Sequence, residues 1–184
     1  MARNRRNVDP NDGKVRCRWA AVDPILAAYH DREWGKRIRT DGGHLQRMAA
    51  EIFQCGLSWK IVLVKMPALT AGFHGFELSR VARMTSKDVN RLCNDASIIR
   101  NRKKIEATIH NARVMMELKA AHRSYVRWLD RLSTDSSADI AALYQLFRKT
   151  FRFMGPETTR CYLMGCGKLP PEHDRECWLA QGNM

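Results

Sequence analysis

The chain has 184 residues, 45% of them hydrophobic, which is enough to bury one sizeable core and too few to build several. Its 32 lysines and arginines outnumber its 19 aspartates and glutamates, and the resulting formal charge of +13 attracts polyanions, nucleic acid first, when it does more than keep the protein soluble. No run is long and apolar enough to span a bilayer, and the six cysteines are dispersed, unlike the dense framework of a small secreted scaffold.

Met1 to Arg16 mixes Arg3, Arg5, Arg6, Lys14 and Arg16 with Asn, Asp, Pro and Gly and contains no apolar signal-like stretch. Residues 1–14 are therefore expected to form a disordered basic arm and residues 15–184 a single helical domain of a cytoplasmic protein. Beyond the arm, apolar residues recur at helical spacing and no segment alternates strictly, so the expected fold class is all-α. Asp41 reads as the N-cap of a helix whose buried stripe is Leu45, Met48, Ala49, Ile52 and Phe53. A second helix is expected from Ser58. Thr85 and Asp88 have the spacing of a capping box ahead of Val89, Leu92 and Cys93. Ile105, Ile109, Ala112 and Met116 mark a longer helix, and Ile140, Leu143, Tyr144 and Phe147 a later one. Breaks are expected at Gly42-Gly43, Gly72 to Gly75, Ser133 to Ser137, Gly155-Pro156 and Pro170-Pro171.

His173 and Cys177 are one helical turn apart, so a helix or tight turn can point both side chains the same way. With Cys17 and His30 they would complete a closed tetrahedral zinc site drawn from both ends of the chain. The spacing is not that of a zinc finger, and the competing reading makes the cysteines small buried hydrophobes and the histidines ordinary polar residues. Such a set leaves no open coordination position, which argues against a metallohydrolase. Glu51 falls off the apolar stripe on the same face as Gln54, so periodicity alone places it on a solvated face. Arg100, Arg102, Lys103 and Lys104 follow Ile98-Ile99 at a helix-to-helix junction, where cations and backbone amides can meet phosphates or simply face solvent.

Taken together, Cys17-Arg18-Trp19, Asp23-Pro24, Tyr29-His30-Asp31 and Glu33-Trp34-Gly35 closely resemble the amino-terminal signature of the 3-methyladenine DNA glycosylase I family. The likeness continues in order through Glu51, Gln54, Gly56-Leu57-Ser58-Trp59, Asp95-Ala96, Ile98-Ile99-Arg100, Arg102, Lys104, Phe151, Phe153, Gly155, Cys166-Gly167, His173 and Cys177. It implies a helix-hairpin-helix DNA glycosylase fold with its two ends joined by structural zinc on Cys17, His30, His173 and Cys177. It further implies a base pocket with Glu51 as the recognising carboxylate and Tyr29, Trp59, Trp19, Trp34 and Gln54 around it, with Arg100, Arg102, Lys103 and Lys104 on DNA. The implied activity is monofunctional excision of 3-methyladenine from alkylated double-stranded DNA, by a monomer without a nucleotide cofactor. The sequence departs from the family pattern where Leu26 replaces an aromatic residue, Ile52, Ser97 and Lys103 replace glycines, Cys55 an alanine and Met66 an arginine. These departures leave open a different alkylated base, or a lesion-binding protein without catalysis.

Overall fold

The computed structural model describes residues 12–181, so residues 1–11 of the expected arm lie outside the described part. The end of that arm and the first residue of the expected domain touch the far end of the chain: the Lys14 ammonium lies 4.0 Å over the Trp178 ring, and the Val15 carbonyl accepts the Trp178 backbone N–H at 2.8 Å. The described residues form α-helices with no β-strand, as the periodicity predicts. None of these helices is long and apolar enough to cross a membrane.

In chain order the helices are α1 (Pro24–Arg32), α2 (Asp41–Gln54), α3 (Trp59–Gly72), α4 (Leu78–Ala82), α5 (Ser86–Asn94), α6 (Arg102–His122), α7 (Tyr125–Asp130), α8 (Ser137–Thr150), α9 (Pro156–Gly165) and α10 (Trp178–Gln181). Polar side chains satisfy the free amides at their starts: Asp23 caps α1 ahead of Pro24, Ser58 caps α3, Asn101 caps α6, and Thr85 with Asp88 closes a capping box on α5. At α2 the cap is Thr40, whose hydroxyl accepts the Gly43 N–H at 3.1 Å; Asp41 is the first helical residue and instead accepts the Val126 N–H. Gly42 and Gly43 therefore start a helix and do not break one. A Cβ on Gly42 would sit 2.8 Å from the Phe76 carbonyl oxygen, so glycine here serves close approach.

Helix α2 runs through the middle of the molecule, packed by α3, α6 and α9. Leu45, Met48, Ala49, Ala50, Ile52 and Phe53 are all buried, a wider band than one stripe. The carboxyl-terminal half adds an aromatic cluster of Tyr125, Trp128, Phe147, Phe151 and Tyr162. A polar side chain set deep against it is satisfied: His44 Nδ1 meets the Tyr162 hydroxyl at 2.8 Å, its Nε2 meets the Ile38 carbonyl at 3.1 Å, and burial lowers the imidazole to about 4. A neutral, doubly bonded histidine costs the core little.

Candidate functional site

Because α2 is enclosed, its polar face is not solvated, and it turns toward a cavity of about 350 Å³ between α1, α2, α3 and α9. All six residues expected at a base pocket, Trp19, Tyr29, Trp34, Glu51, Gln54 and Trp59, line it. Glu51 is only 6% exposed, so the solvated-face reading of the periodicity is overturned. No hydrogen bond from a described residue reaches its carboxylate. Burial pushes its pKa up to about 7, against the pull of the Arg47 cation.

The rings form a continuous wall. Trp59 meets Tyr29 edge to face at 5.0 Å, and Trp19 meets Trp34 at 5.2 Å. Trp59 is aimed by the short turn after α2, where Gly56 takes a φ of 79° that other residues rarely adopt. Sequence reasoning missed Arg47, which is buried one turn before Glu51, donates Nη1 to the Tyr29 hydroxyl and stacks 4.8 Å over the Tyr29 ring. It also missed Cys161, Met164 and the Arg160–Glu172 ion pair, which line the cavity from α9 and the segment that follows. An arginine interrupting the buried stripe between Leu45 and Met48 was the available signal for the first; α9 offered none.

The four expected metal ligands come together. Ligand atoms of Cys17, His30, His173 and Cys177 all lie within 4.8 Å of one another, with Cys17 Sγ 3.5 Å from His173 Nδ1 and Cys177 Sγ 3.4 Å from His30 Nε2. The segment from His173 to Cys177 is a tight turn, with the Cys177 N–H bonded to the Asp174 carbonyl at 2.8 Å. Asp31 lies 2.8 Å from His30 Nδ1 and orients that ring. The cluster also abuts the cavity wall, since Trp34 packs on His173 at 4.8 Å and Trp19 on His30 at 5.4 Å.

Helices α5 and α6 are joined by the loop 95–101, pinned by buried Ile98 and by an Asp95 turn that accepts the Ser97 N–H at 2.8 Å. Arg100, Arg102 and Lys103 are exposed there, Arg102 bonded to Asn90 and Glu106. Lys104 is a correction to the expected DNA contacts. It is 6% exposed and its ammonium donates to the Phe53 and Cys55 carbonyls, so it closes the end of α2 and cannot meet a phosphate. K104M is expected to cost about 2 kcal/mol of unfolding free energy by orphaning both carbonyls, measured in urea.

The departures are placed too. Leu26 is buried in α1 and does not line the cavity, and Ile52 lies wholly in the core. Neither Ser97 nor Lys103 has a positive φ, so the loop backbone does not demand glycine at either position.

The model of the methyladenine glycosylase family matches residues 19–145. DNA-3-methyladenine glycosylase 1 of Escherichia coli (strain K12) is 37% identical over 186 residues, which cover 91% of this chain and 98% of that protein. A crystal structure of a 3-methyladenine DNA glycosylase I covers 89% of this chain and 98% of its own, with a TM-score of 0.78 at 31% identity. The glycosylase I of Staphylococcus aureus, solved for the structural basis of 3-methyladenine recognition, covers 89% and 95% with a TM-score of 0.77 at 28% identity. Sequence likeness and backbone likeness thus run together over nearly the whole chain, and the chain belongs to the methyladenine glycosylase family.

Proposed function

We propose that this protein is a DNA-repair glycosylase that flips 3-methyladenine out of alkylated duplex DNA and hydrolyses its bond to deoxyribose. The observation that carries this reading is a buried carboxylate with no hydrogen-bond partner among the described residues, walled by Trp19, Tyr29, Trp34 and Trp59. The cavity is within the size range of small-molecule sites, and its rings suit a flat base removed from its stack. Methylation at N3 makes the adenine cationic while it is attached to the sugar. Ionised Glu51 attracts that cation and can accept hydrogen bonds from its edge, whereas an unmodified adenine gains no Coulomb term.

A cationic purine is already a good leaving group, so the protein's work is positioning and electrostatics, with no strong nucleophile required. The bond from N9 to the anomeric carbon breaks with its electron pair moving onto the purine, which leaves as neutral 3-methyladenine. Water adds its oxygen to that carbon and gives up a proton, leaving an abasic site in an uncut strand.

The loop 95–101 between α5 and α6 is read as the helix-hairpin-helix element, with Arg100 and Lys103 facing phosphates. R100A and K103A are each expected to lower the slope of log affinity against log salt by about 1, while K104M leaves it unchanged. Equal slopes in all three would remove the hairpin from the DNA interface.

Zinc suits the cluster at the chain ends: tetrahedral bonds of about 2.3 Å to sulfur and 2.0–2.1 Å to nitrogen set the two atom types about 3.5 Å apart. The observed 3.4 and 3.5 Å separations fit that ion. Cys17, His30, His173 and Cys177 would hold it with no coordination position left for water, so its contribution would be structural.

The activity is tested by incubating the protein with alkylated duplex DNA and identifying the released base chromatographically. Free 3-methyladenine and an abasic, unbroken strand are expected. Binding without release, or release of a different base alone, would overturn the assignment.

A further inference from the structure

We propose that Arg47 is a positioning residue that sets the charge state of the base cavity. It favours the ionised form of Glu51 while the cavity is empty and, by offsetting that carboxylate, limits the cavity's preference for a cationic purine over a neutral one. The inference rests on the reading of Glu51 as the base-recognising carboxylate.

The geometry begins with spacing. Arg47 and Glu51 are one turn apart on α2, so their side chains lie along the same face. Both converge on the space that Gly165 leaves: a Cβ built there would be 3.2 Å from Arg47 Cδ, 3.7 Å from Arg47 Nε and 3.5 Å from Glu51 Oε1. The guanidinium stands 4.8 Å over the Tyr29 ring and 6.0 Å from the Trp59 ring, two of the rings assigned to the flipped base. A cation held against those π faces, beside that carboxylate, occupies the electrostatic role that a cationic purine would take.

Ordinary ion pairing does not account for a buried arginine here. Its Nε is buried without a hydrogen-bond partner among the described residues, and its acidic neighbour Glu33, 3.6 Å from Nη2, is 62% exposed, so water screens that pair. What compensates the guanidinium is the pair of rings, the Tyr29 hydroxyl and the Glu51 charge. The other titratable groups around Glu51 do not substitute for it. Burial raises the Tyr29 phenol on α1 and pushes the Cys161 thiol on α9 up to about 12, so both are neutral near pH 7. Arg160 at the rim is already paired with Glu157 and Glu172.

Loss of the guanidinium removes the opposite charge that, among the described residues, acts on Glu51. Ionisation of Glu51 is then expected to move up by about one pH unit, a shift typical of a lost neighbouring counter-charge. Above that pH the carboxylate is unbalanced and should prefer a cation more strongly.

The test compares wild type, R47M and R47K by the pH profile of kcat/KM on duplex DNA containing 3-methyladenine. It also compares binding of 3,9-dimethyladeninium, a fixed cation, with that of neutral 9-methyladenine, read at pH 9 from tryptophan fluorescence. R47M should shift the acid limb upward by about one unit and raise the cation-to-neutral preference about tenfold, and R47K should restore both toward wild type. If R47M does not fold, R47Q, neutral and of similar length, carries the same expectation. A folded neutral variant with an unmoved limb and unchanged preference overturns the role of Arg47. If E51Q leaves the wild-type profile and preference unchanged, the reading of Glu51 falls, and with it this inference.

Discussion

Replacing Glu51 with glutamine is expected to slow release of 3-methyladenine by about a hundredfold or more in a single-turnover assay, the scale of losing one preorganised electrostatic contact. The substitution keeps shape and removes charge, so it isolates the Coulomb term on the cationic base. The same change should not weaken the fold. The carboxyl of Glu51 is pushed up to about 7 from an ordinary 4.5. A carboxyl raised on folding favours the native state fully below its unfolded pKa, and that contribution is lost as pH rises through the folded one. Wild type should therefore lose about 3 kcal/mol of stability between roughly pH 4.5 and pH 7 from this group, and E51Q should lack that slope. Urea titrations at pH 4.5 and pH 8 measure it. A variant that is slow yet at least as stable as wild type at pH 8 separates chemistry from folding.

Removing metal is expected to be the largest perturbation of stability. Cys17 and Cys177 belong to opposite ends of the described chain, and a shared ion would join them with His30 and His173. Purified protein should carry about one zinc per chain, and chelation or C177A should lower Tm by 10 °C or more, given that about 1 kcal/mol moves a domain of this size by about 2–4 °C. Because Trp34 packs on His173 and Trp19 on His30, the same treatment should also reduce base binding before the chain unfolds. Elemental analysis with a thermal melt decides it. A metal-free protein with an unchanged Tm would leave the cluster as four close-packed polar residues.

Much of this was legible in the sequence, for reasons that can be named. Caps and periodicity are local, so Ser58, Thr85 with Asp88, and the stripe of α6 read correctly. The glycines of α2 misled because Gly42 answers to a carbonyl more than thirty residues away, at Phe76, which no local pattern encodes. Glu51 misled periodicity in the same way: a helix wrapped on every side has no solvated face, and only the family resemblance pointed Glu51 inward. Lys104 looked like one more member of a basic run until α2 was seen to end against it. Arg47 was passed over because an arginine in a helix is ordinarily a surface residue.

The most direct measurement is a structure of the chain with 3-methyladenine bound. The ring is expected in the 350 Å³ cavity, its face against the aromatic wall and its edge within hydrogen-bond distance of the Glu51 carboxylate. A base seated instead in the neighbouring cavity of about 300 Å³ beyond Trp59, where Arg32, Lys36 and Arg37 gather, would contradict the account. So would a base in the expected cavity that Glu51 does not touch.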